Sequence, residues 1–296
     1  MLNRLAPLVL VLAAACSSGT ESSAANPVVS GAAAPAAQLA CFRENGHAML
    51  AAHRGGPADG YAENALSSLE RLGERGVLYA EIDVRRAADG TLFLLHDDTL
   101  DRTTTAQAPL DGLSWSDLSG TQLRDPDGDP LADTIPTLAQ ALETARTAGL
   151  ILNLDLKSVP AEDIVRFVHD HDARNAVAII AYSVEQAASI HALDPGLVLS
   201  APNDPDALAA AGVNLDAVYI WLGVGEADAD ADARLAEAGL ETSAGLFPLE
   251  SGDPAPYRQA DEAGVELLSI DDVDAAVAAL GGAGALKSRM TACPLD

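Results

Sequence analysis

Aromatic side chains are scarce in this chain of 296 residues: four Phe, two Trp and five Tyr amount to 4%. A large core therefore has to be built from Ala, Val, Leu and Ile. Positive charge is scarce as well. Seventeen Lys and Arg stand against 44 Asp and Glu, a formal net charge of −27. That balance argues against nucleic acid as a partner, because a protein that neutralises nucleic-acid phosphates presents a basic face. It also sets a condition on any anionic substrate: the site must be made locally positive by a metal, an Arg or a Lys. Cysteines number three. The apolar stretch over residues 5–15 is shorter than the roughly 20 residues a bilayer-spanning helix needs.

What is present is a globular composition, 49% hydrophobic with a mean hydropathy of +0.13, enough for a sizeable core. The first 15 residues read as a signal peptide: Arg4, the apolar stretch, then Ala13-Ala14-Ala15. Cys16 follows directly, which resembles a bacterial lipoprotein signal in which that cysteine carries a lipid. Plain cleavage after Ala15 is the other reading. The expectation is an exported protein, either anchored in the cell envelope by lipid on Cys16 or secreted or periplasmic. Residues 16–40 are rich in Ser, Ala, Gly and Pro and read as a flexible tether. Residues 41–296 read as one folded domain.

Within that domain, strand-like and helix-like runs alternate. Strands are expected over residues 48–52, 78–84, 91–95, 150–156, 177–182, 197–200, 217–222, 242–247 and 266–270. Helices are expected over 64–75, 135–147 and 185–193. Alternation of this kind argues for a parallel sheet with helical crossovers. At this length the expected fold is α/β, a (β/α)8 TIM barrel. The nine runs exceed eight strands by one, with 217–222 or 242–247 as the candidate for a loop elaboration. Residues 98–133 are too long for a simple connection and read as a small insertion after the third strand. A closed barrel brings its termini together, so Cys41 and Cys293 are expected to pair in an oxidising compartment.

Four short motifs stand at the ends of these apolar runs: His53-Arg54-Gly55, Glu81-Ile82-Asp83, His96-Asp97 and Asp155-Leu156-Lys157. Barrel enzymes carry their reactive groups at the C-terminal ends of strands. Glu81 and Asp83 are two apart, so they leave one face of a strand. With Asp155 they form an all-oxygen ligand set that suits magnesium or calcium. Such a cation would neutralise a phosphodiester and stabilise developing charge. Arg54 can fork onto phosphate oxygens and Lys157 adds a point charge. His53 and His96 suit general acid and base at neutral pH. The inventory points to metal-assisted cleavage of a small-molecule phosphodiester. His169-Asp170-His171-Asp172 reads instead as a polar helix end, and residues 125–129 as an acidic turn.

The same motifs, with Glu63-Asn64, Leu100-Asp101-Arg102-Thr103-Thr104 and Pro136-Thr137-Leu138, resemble the glycerophosphodiester phosphodiesterase family. The resemblance covers about residues 47–280 and is strongest in the first half. It implies a barrel fold, hydrolysis of glycerophosphodiesters to glycerol 3-phosphate and an alcohol, the two histidines as acid and base, and supporting roles for Glu63 and Arg102. It also implies attack by the substrate's own hydroxyl through a cyclic phosphate. Three departures stand out. Asp155 replaces the family's Glu. No Trp stands in residues 243–247, where the family carries Trp-Thr-Val-Asn. Ser269-Ile270-Asp271-Asp272 stands where Thr-Asp-x-Pro is usual. They leave open a phospholipase D-like or phosphoinositide-cleaving relative acting on lipid phosphodiesters, and a surface lipoprotein that binds without turnover.

Overall fold

The computed structural model describes residues 34–295. The signal peptide, Cys16 and most of the expected tether lie outside the described residues. The end of that tether differs from expectation. Residues 34–40 are not an open linker but the first part of helix α1, Ala34–Asn45. Alanine is the strongest helix former, and Ala36, Leu39 and Phe42 bury themselves against the barrel, which overrides the linker-like composition.

The elements then alternate as the sequence suggests. Strand β1 (Met49–Ala52) is followed by α2 (Leu66–Arg75), β2 (Tyr79–Arg86) and β3 (Leu92–Leu94). A lobe holds α3 (Trp115–Leu118), β4 (Gln122–Arg124) and β5 (Pro130–Thr134). After it come α4 (Leu138–Ala148), β6 (Ile151–Leu156), α5 (Ala161–Asp170), β7 (Val177–Ile180), α6 (Val184–Leu193), β8 (Val198–Pro202) and α7 (Pro205–Ala210). The chain closes with β9 (Val218–Val224), α8 (Ala229–Glu237), β10 (Glu241–Gly245), α9 (Ala255–Ala263), β11 (Leu267–Ile270), α10 (Val273–Ala279) and α11 (Ala283–Ala292).

Eight parallel strands, β1, β2 and β6 to β11, pair in sequence, and β11 returns to β1 to close the barrel. Parallel strands in this setting are covered on both faces, so β1 and the first six residues of β2 are buried without a break. The surplus strand is neither residues 217–222 nor 242–247; both belong to the barrel, as β9 and β10. It is β3, which folds back antiparallel on β2 with Val84 opposite Leu94. The 98–133 insertion therefore follows the third strand in chain order, but that strand lies outside the barrel proper. The lobe packs on its own small core of Phe93, Leu95, Leu100, Leu118, Leu123 and Ile135.

Local chemistry sets the element ends. Thr137 and Gln140 form a capping box at the start of α4, and Gly149, at φ 72°, ends it. Helix α2 packs so closely on α4 that a Cβ on Gly73 would lie 2.6 Å from the Ala148 carbonyl oxygen. Helix α1 seals the N-terminal end of the barrel: Arg43 pairs with Glu241, the first residue of β10, at 3.0 Å. Gln38 donates to the Cys293 carbonyl at 2.7 Å. Cys41 and Cys293 are joined in a disulfide, as the sequence leads one to expect.

Candidate active site

The opposite, C-terminal rim carries the four motifs. Parallel pairing of β2 with β6 sets Asp83 beside Asp155 and Glu81 beside Asn153. Ligand oxygens of Glu81, Asp83 and Asp155 thereby lie within 4.8 Å of one another, all three residues buried. Burial, and next the charge of Asp83, push the Glu81 carboxyl up to about 8. The cation that faces this triad is Lys157, whose Nζ lies 3.1 Å from Asp83 and 2.6 Å from Asp155. Asn64 holds Asp83 from the side: its amide donates to Asp83 Oδ2 at 2.7 Å and its Oδ1 accepts the Asp83 backbone N–H at 2.9 Å. The Tyr182 hydroxyl donates to Asp155 Oδ2 at 2.8 Å, while Asp155 Oδ1 is buried with no partner among the described residues. Three packed carboxylates, one lysine and an orphaned carboxylate oxygen leave a deficit of positive charge. An oxygen-only set of this size fits a hard divalent cation.

The two histidines flank the triad. His53 Nδ1 donates to Asp271 Oδ1 at 2.8 Å, which leaves Nε2 3.9 Å from Glu81 Oε2. Burial works against a charged imidazole here, but the bond to Asp271 and the charge of Glu81 outweigh it, and the His53 pKa is raised. His53 rests on Phe247, with ring centroids 4.7 Å apart. His96 Nδ1 donates to Asp97 Oδ1 at 2.7 Å. Arg102 grips Asp97 with two bonds of 2.7 and 2.8 Å, and the Arg102 hydrogen bonds hold that carboxyl well below the usual range. The same guanidinium donates twice to Glu63, both at 2.8 Å.

Arg54, expected from the sequence to fork onto phosphate, stands between the triad and Glu63. Its backbone sits in the left-handed region at φ 50°, which lets its N–H donate to Glu81 Oε2 at 2.6 Å. Its guanidinium turns to Glu63, with Nη1 3.3 Å from Oε2. Arg54 thus ties the first motif to the triad and to the Glu63–Arg102 pair. Gly56 completes the turn at φ 68°, where a Cβ would lie 2.8 Å from Val273.

Two depressions open on the triad and share Asp155 and Tyr182. One, of about 460 Å³, holds His53 and descends into the barrel past Asn153, Ser200, Tyr219 and Ser243. The other is a more open groove that holds His96, with Arg85, Asp97, Asp98 and Lys157. Residues 243–247 carry no Trp, and the indole at this place comes from a neighbouring strand. Gly245 is bare, and a Cβ there would lie 2.8 Å from both Phe247 and Trp221. The ring of Trp221, on neighbouring β9, and that of Phe247 together wall the cavity.

The motifs point to Glu81, Asp83, Asp155, Lys157, His53 and His96, and to Glu63 and Arg102 beside them, and the structure brings these residues together. Asn64 and Asp97 stand inside the same motifs, but their contacts to Asp83 and His96 emerge only in the structure. Asp271 marks a departure from the family pattern, and its bond to His53 is visible only in the fold. Tyr182, Asn153 and Trp221 carry no local pattern; strand register alone reveals them.

The closed parallel barrel, with an acidic triad that could hold a metal ion and two carboxylate-backed imidazoles at its C-terminal rim, is a TIM barrel. Residues 53–268 match the glycerophosphoryl diester phosphodiesterase family, and the chain belongs to it. Among curated relatives, it is similar to glycerophosphodiester phosphodiesterase of Caldanaerobacter subterraneus subsp. tengcongensis, 24% identical over 50% of this chain and 64% of that one. It is 31% identical to human glycerophosphodiester phosphodiesterase 1 over 36% of this chain and 33% of that one. The chain thus matches less than two thirds of the length of these relatives. The barrel superimposes on a glycerophosphoryl diester phosphodiesterase from Parabacteroides distasonis with a TM-score of 0.75, at 24% identity, covering 84% of this chain and 92% of that one. It also matches a phosphodiesterase from Oleispira antarctica in complex with the product sn-glycerol-3-phosphate, with a TM-score of 0.64 at 20% identity, covering 80% and 98%.

Proposed function

We propose that this protein hydrolyses glycerophosphodiesters to glycerol 3-phosphate and an alcohol, with a divalent cation, magnesium or calcium, held by Glu81, Asp83 and Asp155. The observation that carries this reading is the convergence of those three carboxylates between His53 and His96. Bound there, the cation would supply charge neutralisation at the phosphoryl oxygens. Lys157 adds positive charge at the same edge and keeps Asp83 and Asp155 aligned.

The two histidines divide the proton traffic. Each is fixed through Nδ1 by an aspartate, so Nε2 is the nitrogen left for substrate. One accepts the proton of the attacking hydroxyl as the new P–O bond forms. The other donates a proton to the departing alkoxide as its P–O bond breaks. The Glu63–Arg102–Asp97 chain holds the His96 side in register, and Arg54 couples Glu63 to Glu81.

The test is an assay on a panel of glycerophosphodiesters and lysophospholipids after exhaustive chelation, then with each cation restored. Activity is expected to vanish with chelator and to return with magnesium or calcium. Full turnover in excess chelator contradicts the cation role. Cleavage confined to lysophospholipids moves the reading to a lipid-directed enzyme, and no turnover of any diester leaves a binding protein.

A further inference from the structure

We propose that Tyr182 is a positioning residue of the cation site, its hydroxyl aiming the Asp155 carboxylate. The inference rests on the cation reading of Glu81, Asp83 and Asp155 and deepens it.

Tyr182 is poorly placed for packing. At 67% exposure it exceeds every other large hydrophobic side chain among the described residues, and a ring left in solvent contributes little burial. Its hydroxyl nonetheless turns inward and donates to Oδ2 of Asp155 at 2.8 Å, a residue only 5% exposed. Strand register explains the reach. Strand β7 runs parallel to β6 with Leu154 opposite Ile179. Asp155 is therefore level with Ile180, and Tyr182 stands two residues, about 7 Å, further along. A long side chain with a polar tip can lean back over that offset. The start of α6 holds Tyr182 for the task. Gln186 Oε1 accepts the Tyr182 backbone N–H at 2.9 Å, and the Gln186 backbone N–H donates to Ser183 Oγ at 3.2 Å.

Asp155 has one other donor. Lys157 Nζ reaches the same Oδ2 at 2.6 Å and lies 3.1 Å from Asp83 Oδ1. The lysine follows Asp155 on its own strand, whereas Tyr182 approaches from β7. Two donors on Oδ2 fix the plane of the carboxylate, and Oδ1 is left with no partner among the described residues. The two donors differ in charge. An ammonium repels a metal ion that shares its carboxylates. A phenol is neutral at working pH and orients the carboxylate without that repulsion. Groups that orient metal ligands in this way are worth about 10–100-fold in metal affinity.

The experiment titrates the chelator-stripped protein with Mn²⁺, a hard divalent probe whose free ion is read by electron paramagnetic resonance, with no substrate present. Tyr182→Phe keeps the ring and removes the hydroxyl, and is expected to raise the Mn²⁺ Kd by about tenfold or more. In a diester assay the half-activating magnesium concentration is expected to rise in step, and lost activity to return as magnesium is raised. Asp155→Glu supplies a carboxylate that reaches about 1.5 Å further. In that background Tyr182→Phe is expected to change Kd by about twofold or less, because coupled residues do not add. An unchanged Kd in Tyr182→Phe, or an equal loss in both backgrounds, overturns the proposal and leaves the cation reading standing. If Asp155→Glu binds no Mn²⁺, the Tyr182→Phe titration decides alone. A shifted Kd without cleavage of any diester supports the positioning role, and it is then the phosphodiesterase reading that fails. Wild type that binds no Mn²⁺ removes the cation reading and the positioning role together.

Discussion

His53 and His96 are each backed by an aspartate, and the two pairs are built unlike one another. Asp97 is clamped by Arg102, whereas Asp271 is half exposed, its carboxylate bonding His53 and its backbone N–H donating to Glu250. His53→Ala and His96→Ala are each expected to lower kcat by about 10²–10⁴-fold, the usual worth of a positioned acid or base; an unchanged rate in either removes that residue from the chemistry. Asp271→Asn gives a finer test. The Asp271 bond and charge raise the His53 pKa, so their loss is expected to move the His53-dependent inflection of the kcat/KM profile to lower pH, while His96→Ala leaves that inflection in place. These residues differ in how far sequence exposes them. Glu81 and Asp83 share a strand face by simple alternation, and short motifs flag the histidines. The bond from His53 to Asp271 spans 218 positions, and only barrel closure brings β11 beside β1.

Strands show the same limit at the scale of elements. An apolar run reads alike whether its neighbour is parallel or antiparallel, so residues 91–95 read as a barrel strand. The discriminating signal lay in the connection. Only five residues separate β2 from β3, with Gly90 at φ 93°, and a parallel crossover needs a dozen or more. Strand β10 carries a further consequence. The Thr242 backbone N–H and hydroxyl both reach Glu266, and the hydroxyl also bonds Asp232. Burial pushes the Glu266 carboxyl up to about 8; the Thr242 N–H opposes the shift, and the charges of Asp232 and Glu241 add to it. An unfolded glutamate loses its proton near 4.3. Between those values the folded protein binds more protons than the unfolded chain, so this group's contribution to stability falls as pH rises towards 8 and then levels. Thermal denaturation of Glu266→Gln and wild type across pH 5–9 is expected to show wild type losing ground with rising pH and the variant flatter. Parallel curves would place the proton elsewhere.

Among the described residues, the first and last helices pair and bound the barrel domain. The family match ends at residue 268, and the Cys41–Cys293 bond lies outside it, joining α1 beneath the barrel to the end of α11. Closing so long a loop restricts the unfolded chain, and removing a native disulfide costs about 2–5 kcal/mol. Cys41→Ser with Cys293→Ser is expected to lower Tm by roughly 5–15 °C while leaving kcat unchanged, because the bond lies at the end of the barrel remote from the triad. Differential scanning calorimetry beside an activity assay checks both halves. The bond has one more outcome, topological in kind. Covalently, residues 41–293 form a ring, so a single protease cut in the 98–133 lobe yields two polypeptides that stay linked until reductant is added.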